Sequence, residues 1–579
     1  MPSYTVNVEL ASTPTGTKLV ATGASTTTLT VSAAMKAAID AAVASANMSM
    51  YGLKPRSGTR AVGQGELLLN VKDYGAKGDG TTDDTAAILA AIADIPSEGG
   101  VLYFPKGTYL ISGTLVVSNG TKMVGEGVNA SVIQLANGSN CDMVQSTGFA
   151  TLTGNNKWLT SDGVVHGIGF DGLRFNGNKA NQSSGRGVAL YAKRITVGEL
   201  LIMDCHDVGW YSECGDKSGQ TDWTDLPESK INCLRVRNCG GDGIVWNGPH
   251  DARIDTLLPS SNGGRGAVFE RTVGMSTGES DVGFIHSYGN TGQGIYISAS
   301  CRIRGNELIG ESNGGEGIYI DGWNSQIAMV QAYSNCTSSG SYQVVVTGNG
   351  NILDNVKIEK CAAAVGGLQI TGAQNSVNVT ADGNATSAAV GVDVSSVGNR
   401  VRGRSTNFTP AGGIGLRTGN STTLSSSHIQ MEVDNNATGW SNSTSGTLNV
   451  YQIVGIMGAG QVLFAGSGPN STAGNEKWEV RGTENGTYRT SRVKKQSGGT
   501  LDMNSTALQG LNISITEMIK QPTAPNISAI LNYTGGGSWT VAMPLTMTAI
   551  SSTQVSFAFQ LSVGAGAGKT ATIELQAEL

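Results

Sequence analysis

The sequence predicts an all-β protein whose body is a parallel β-helix, a solenoid of short stacked strands. Three observations predict it. First, Gly, Ser, Thr and Asn crowd the chain, with 82 Gly against 13 Pro in 579 residues, and they separate short Val/Ile/Leu runs. That is the texture of many strands joined by tight turns. Second, a turn residue followed by an apolar-x-apolar triplet recurs along the chain. The triplets begin at Val188, Trp210, Ile244, Ala267, Ile295, Ile318, Val344, Leu368, Val392, Leu416 and Trp440, with spacings of 22, 34, 23, 28, 23 and 26 and then 24 four times. One coil of that length cannot bury its apolar face alone, whereas stacked coils make a continuous core. Third, each triplet alternates with period two. Its first and third residues, such as Ile295 and Ile297, point inward, and its second and fourth point outward.

Taken from the N-terminus, residues 1–31 are polar and Thr-rich and read as strands or an extended tail. Residues 33–47 are Ala-dense and predict a helix. Met35, Ile39 and Val43 give it a narrow apolar stripe, suited to packing in its own domain or to a short bundle around a three-fold axis. Residues 51–65 read as a linker, so residues 1–65 form an N-terminal segment.

The stretch from Asn70 to Thr85, NVKDYGAKGDGTTDDT, holds Gly75, Gly78 and Gly80 for tight turns. Asp83 or Asp84 can cap a helix over TAAILAAIADI, which Pro96 stops. Gly99-Gly100 leads into a strand at Val101–Phe104, and Pro105-Lys106-Gly107-Thr108 turns into Tyr109–Val117. This order, D-x-G-A-x-G-D-G-x-T-D-D-T, a helix, then G-G-x-x-x-x-P-x-G-x-Y, closely resembles the opening of the pectate-lyase-like β-helix superfamily. The resemblance covers residues 70–117. It implies a right-handed parallel β-helix whose N-terminal end the motif builds and caps, with structural roles for Asp73, Asp79, Asp83 and Asp84. The solenoid is predicted over 66–446.

A second column precedes the triplets: Cys205, Cys239, Asn290 and Asn313, each five residues ahead of its anchor, with Cys361 near the same turn, seven ahead. Stacked Asn side chains hydrogen-bond along a solenoid axis and Cys acts as a small buried hydrophobe, so the column reads as fold rather than chemistry. After Trp440 the period fades. Residues 447–579 are predicted as a separate antiparallel β domain, a trimerising or receptor-binding tip. Asn485-Gly486 signals a hairpin there, and the runs Trp539 to Met547 and Val555 to Val563 alternate strictly.

Charged residues make up only 14% of the chain and the net charge is -6, which argues against a nucleic-acid partner, whose phosphates call for Lys/Arg patches. No stretch approaches the roughly 20 apolar residues of a membrane span. The opening MPSYTVNVEL lacks the basic and apolar regions of a secretory leader, so synthesis in a cytoplasm is expected. Eight Cys without CxxC or Cys/His clusters fit reduced, buried thiols. Neither a metal nor another cofactor is expected.

The candidate site lies on the outward positions. One residue after the anchors stand Tyr211, Tyr296 and Tyr319; three after stand Glu213, Asn247, Glu270 and Asp321. Rings stack on pyranose faces, and carboxylates bind hydroxyls or protonate a glycosidic oxygen. Glu213, Glu270 and Asp321 are therefore the candidate catalytic residues, and Tyr211, Tyr296, Tyr319, Asn247 and Trp223 the candidate substrate-binding residues. The two longest coils insert their extra residues directly after Glu213 and Glu270, and the first insert carries Trp223. Neighbouring coils lie about 4.8 Å apart, so carboxylates two coils apart suit an inverting hydrolase better than a retaining one. Asp242 and Glu316, two residues before their anchors, and the trio Asp204, His206 and Asp207 are further candidates, with solvation of a turn as the competing role for the trio. A soluble solenoid also needs outward polar residues for no other purpose.

The superfamily includes lyases, hydrolases and phage tailspikes. Resemblance to the tailspikes implies a homotrimer attached through its N-terminus to phage tail or baseplate proteins, binding or cleaving a host surface polysaccharide as part of the virion. Three functions stay open: a polysaccharide depolymerase acting by glycoside hydrolysis, a non-catalytic adhesin, and a cellular polysaccharide lyase. The outward columns carry carboxylates rather than the basic cluster that a lyase needs, which lowers the third.

Overall fold

A computed structural model describes residues 66–456 except 150–164, 214–227, 249–250, 271–277, 362–365, 384–388, 420–423, 425 and 443–449; outside that span it describes chiefly individual strands. The chain divides into two compact units, Met1–Glu66 and Leu67–Leu579. In the first, Asn7–Thr13 pairs antiparallel with Gly16–Thr22. The helix expected over 33–47 lies outside the described residues. No helix among the described residues is long and apolar enough to cross a membrane.

The second unit is a right-handed parallel β-solenoid of about 13 turns. Its short triplet strands form one sheet, and every predicted anchor stands in register with the next, from Val188 against Trp210 to Leu416 against Trp440. The ladder extends back through Val144 to Leu115 and forward to Phe464. A second sheet is built from longer strands, such as Gly278–Tyr288, Cys301–Glu311 and Gln326–Tyr333. The core lies between the sheets. Ile295, Ile297, Ile318 and Ile320 are completely buried there, as is Trp210.

The start of this unit follows the motif residue by residue. Gly75, Gly78 and Gly80 take positive φ, a region open to glycine at no steric cost. The helix runs Thr85–Ala93. Asp84 is the N-cap residue but its side chain makes no cap bond; Asp83 Oδ1 instead accepts from the Thr85 N–H at 2.9 Å. The Asp84 carboxylate is buried and closes the preceding turn, accepting from the N–H groups of Lys77 and Gly78 at 2.6 and 3.0 Å.

The corner column is longer than the sequence suggested. Asn262 and Asn335 join Asn290 and Asn313 to make four consecutive rungs. The Oδ1 atoms of Asn290, Asn313 and Asn335 each accept from both the N–H and the Nδ2 of the preceding Asn, at 2.9–3.1 Å, and Asn262 Oδ1 accepts from the Cys239 N–H at 3.0 Å. Asn335 passes the chain on to Gln343, which reaches Cys361. One left-handed residue precedes each ladder residue and turns the corner: Asp204, Asn238, Ser261, Gly289, Ser312, Ser334 and Lys360. A second ladder, Asn351–Asn375–Asn399, lines the opposite corner. The hydrogen bond with Cys239, and then burial, push the Cys205 thiol well up, so it stays protonated.

Parallel pairing in the long-strand sheet continues past residue 446, through Val450–Ile456 to Lys477–Glu484. Lys477–Glu484 in turn pairs antiparallel with Thr487–Lys494, and the Asn485-Gly486 expected as the hairpin turn lies outside the described residues. Antiparallel pairs follow, Asn526–Thr534 with Thr570–Glu578 and Thr546–Ile550 with Gln554–Phe559.

Candidate functional site

The outward positions of the triplet sheet form three columns: two residues before each anchor, one after and three after. Tyr211, Val245, Val268, Tyr296 and Tyr319 stand in direct register in the second. Glu213 pairs with Asn247 in the third. The Glu270 N–H donates to the Trp246 carbonyl and the Asp321 N–H to that of Ile297, which sets both on later rungs of the same column.

Hydrogen bonding groups these residues into two similar units. In the first, the Arg186 N–H donates to Asp142 Oδ1 and its Nη2 to Oδ2, both at 2.8 Å. The guanidinium lies 4.8 Å from the Phe149 ring centroid and 5.7 Å from that of Tyr211. Tyr211 Oη donates to Glu213 Oε2 at 2.8 Å and accepts from Asn247 Nδ2 at 3.3 Å. In the second, the Arg265 N–H and Nη2 donate to Asp242 at 2.6 and 2.8 Å, and Nη1 reaches Glu270 Oε1 at 2.9 Å. This guanidinium lies 5.1 Å from the Tyr296 centroid. In both units an Asp two before one anchor holds an Arg two before the next, and the Arg packs on a tyrosine. Three rungs, about 14 Å, separate the two arginines.

The units differ in exposure. Phe149 packs edge-on to Tyr211 at 5.9 Å and, with Ala189 and Tyr191, closes the first. Glu213 is only 2% exposed. Outward alternation placed Glu213 in the groove on equal terms with Glu270; packing on the outer face buries it instead. Burial, and then the Glu213 charge, hold the Tyr211 hydroxyl far above its ordinary range, so it remains a donor. The second unit is open. The Glu270 side chain is 36% exposed. The Tyr296 ring lies 5.5 Å from that of Tyr319, tilted by 36°. Burial raises the Tyr296 hydroxyl, and the charges of Asp321 and Glu270 raise it further, with Arg265 opposing. Asp321 Oδ1 accepts from Thr347 Oγ1 at 2.7 Å. Trp223 lies outside the described residues, as does most of each insert.

The other candidates serve turns and pairs. His206 Nδ1 meets Asp207 Oδ1 at 2.9 Å, Asp207 Oδ2 accepts from the Gly185 N–H, and Asp204 takes the left-handed corner and binds Asn238. Asp242 is committed to Arg265. Sequence reasoning missed the roles of Arg186 and Arg265. Both stand two before their anchors, the position already marked by Asp242 and Glu316, so the signal was a column read for acids alone.

Residues 68–194 match the family model described as rhamnogalacturonase A/epimerase, pectate lyase-like. Among curated relatives, mannuronan C5-epimerase AlgE2 of Azotobacter vinelandii is 28% identical over 292 residues, 47% of this chain and 24% of that protein. Alginate lyase 7 of the same organism is 38% identical over 120 residues, 19% of this chain and 13% of that one. The chain thus spans about a quarter or less of the length of these relatives. Among solved structures, the A-module of the epimerase AlgE4 from Azotobacter vinelandii aligns at 18% identity and a TM-score of 0.38, over 70% of this chain and 99% of that one. The tailspike gp61 of Pseudomonas phage phi297 aligns at 13% identity and 0.41, over 88% and 99%.

Proposed function

We propose that the protein binds a bacterial surface polysaccharide along the triplet sheet and cleaves it by glycoside hydrolysis. The observation that carries this reading is the open unit: two half-buried tyrosine rings 5.5 Å apart beside an accessible carboxylate fixed by Arg265. Rings arranged in this way offer apolar faces to successive sugars, and the fixed polar groups take their hydroxyls. Glu270 and Asp321, two rungs apart, are separated by about 10 Å at the backbone, which side chains narrow into the range of an inverting pair. One carboxyl then protonates the leaving oxygen while the other activates water. Tyr211, Glu213 and Asn247 form a closed brace beside them.

Charge favours this over uronate elimination, the chemistry that the names of the epimerase and lyase relatives suggest. Arg265 is shared by Asp242 and Glu270, with Asp321 nearby, so the described part of the groove holds no surplus cation for a uronate carboxylate. A neutral or amino sugar suits it better. Placement in a phage tail, as a homotrimer attached through its N-terminal segment, rests on the tailspike resemblance read in the sequence.

The test is an end-product assay with surface polysaccharides from candidate hosts, following reducing ends, mass spectra and ultraviolet absorbance. Oligosaccharides of repeat-unit size with saturated ends are the expected result. Tyr296→Ala and Tyr319→Ala are each expected to weaken polysaccharide binding roughly tenfold. Unsaturated, ultraviolet-absorbing products would replace hydrolysis with elimination. Binding without products would leave an adhesin.

A further inference from the structure

The long-strand sheet carries a second surface that the groove does not use. Its pairing skips one residue in each of four neighbouring strands, Asp255, Gly283, Asn306 and Ala328, and the sheet changes phase along that line. Asp281 is exposed before the line; Phe284, His286 and Tyr288 are accessible after it, with Val282 and Ile285 buried between. A trough of about 420 Å³ follows the line, its lining including Asp255, Asp281, Arg304, Asn306, Gln326 and Asp354. Gly283 is required there, because a Cβ would lie 2.6 Å from the Asp255 carbonyl oxygen.

Beside the trough the rings of Phe284, His286 and Tyr288 form a ledge, with successive centroids 6.3 and 5.0 Å apart. Glu311 and then Tyr333 stand in register with Tyr288. Glu311 Oε2 meets His286 Nε2 at 3.0 Å and accepts from Tyr333 Oη at 2.8 Å. Its Oε1 has no partner among the described residues, and the side chain is 34% exposed. Tyr288 is 42% exposed, and its hydroxyl likewise has no partner among the described residues.

We propose that this ledge and trough form a second carbohydrate site, taking a short chain of neutral pyranoses. The rings supply flat apolar faces of the kind that cover the C–H side of a pyranose. Glu311 Oε1 and the Tyr288 hydroxyl supply an oriented acceptor and a donor at the ledge, and the trough adds carboxylates and amides for further hydroxyls. Its cations are committed: Arg304 pairs with Asp281 at 2.5 Å and Arg253 with Asp255 at 3.3 Å. An anionic sugar would therefore meet net repulsion. The inference extends the glycan-binding reading of the groove, and it does not depend on cleavage there.

The test is calorimetric titration of the full chain with short oligosaccharide fractions cut from host surface polysaccharide. Wild type is expected to bind two oligosaccharides per chain. Tyr288→Ala and Glu311→Gln are each expected to weaken one of the two by roughly tenfold and leave the other unchanged, with Tyr296→Ala giving the reverse. Tyr288 is exposed, so its truncation leaves the core intact, and circular dichroism and light scattering verify fold and mass. Binding lost only in Tyr296→Ala would overturn the second site and keep the groove. A fall in oligomer mass in Tyr288→Ala, with both affinities unchanged, would make the surface a subunit contact and overturn it too. No binding by wild type would overturn both readings.

Discussion

Glu270→Gln is expected to lower the rate of polysaccharide cleavage about 10²–10⁴-fold while binding changes little, the range lost when a positioned acid or base is removed. The amide is isosteric and still accepts a hydrogen bond from Arg265, so the ledge of Tyr296 and Tyr319 keeps its shape. What disappears is the group able to exchange a proton with water or the glycosidic oxygen. Asp321→Asn is expected to behave alike. Glu213→Gln separates site from scaffold, because Glu213 is buried and bonded to Tyr211. Its replacement is expected to leave most of the rate. Comparing kcat for the three variants on one polysaccharide checks the assignment; full cleavage by Glu270→Gln would move the chemistry elsewhere.

Asn313→Ala is expected to destabilise the solenoid by about 3–5 kcal/mol, at the top of the range for a single substitution. Asn313 is completely buried. Its Oδ1 accepts from the Asn290 N–H and Nδ2 at 3.1 and 2.9 Å. Its Nδ2 donates to Asn335 Oδ1 at 2.9 Å and to the Ser287 carbonyl at 3.0 Å. Truncation leaves buried donors and a carbonyl without that partner, each costing about 1–3 kcal/mol unless water enters the gap. The exposed Asn355 is the control, and Asn355→Ala is expected to stay within about 0.5 kcal/mol. The shift in urea midpoint reads the difference. Equal midpoints for the two variants would refute a stabilising ladder.

The two expectations draw on different parts of what was legible. The ladder was visible as Cys and Asn five residues before the anchors, yet Asn335, nine before Val344, was hidden because its coil has a longer corner. The ladder bonds tie residues that stack at the same corner of successive coils, and insertions between corner and anchor change the residue count without moving the corner. The site was visible as columns of tyrosines and acids. Its arginines were not, because their meaning depends on which acid they meet on the adjoining rung.

The sequence by itself determined the solenoid, its inward and outward faces and the register of every triplet from Val188 to Trp440. Period-two alternation and coil stacking are local rules that leave one burial pattern open to such a chain. Only the tertiary structure decided which outward residues are accessible. Glu213 and Glu270 occupy equivalent positions in the repeat, yet packing of Phe149, Ala189, Tyr191 and Tyr211 closes one unit and leaves the other open. It also brought Phe284, His286 and Tyr288 beside Glu311 and Tyr333, across coils that no single-strand pattern connects. Contacts between coils depend on the whole stack, and a repeat read one coil at a time does not contain them.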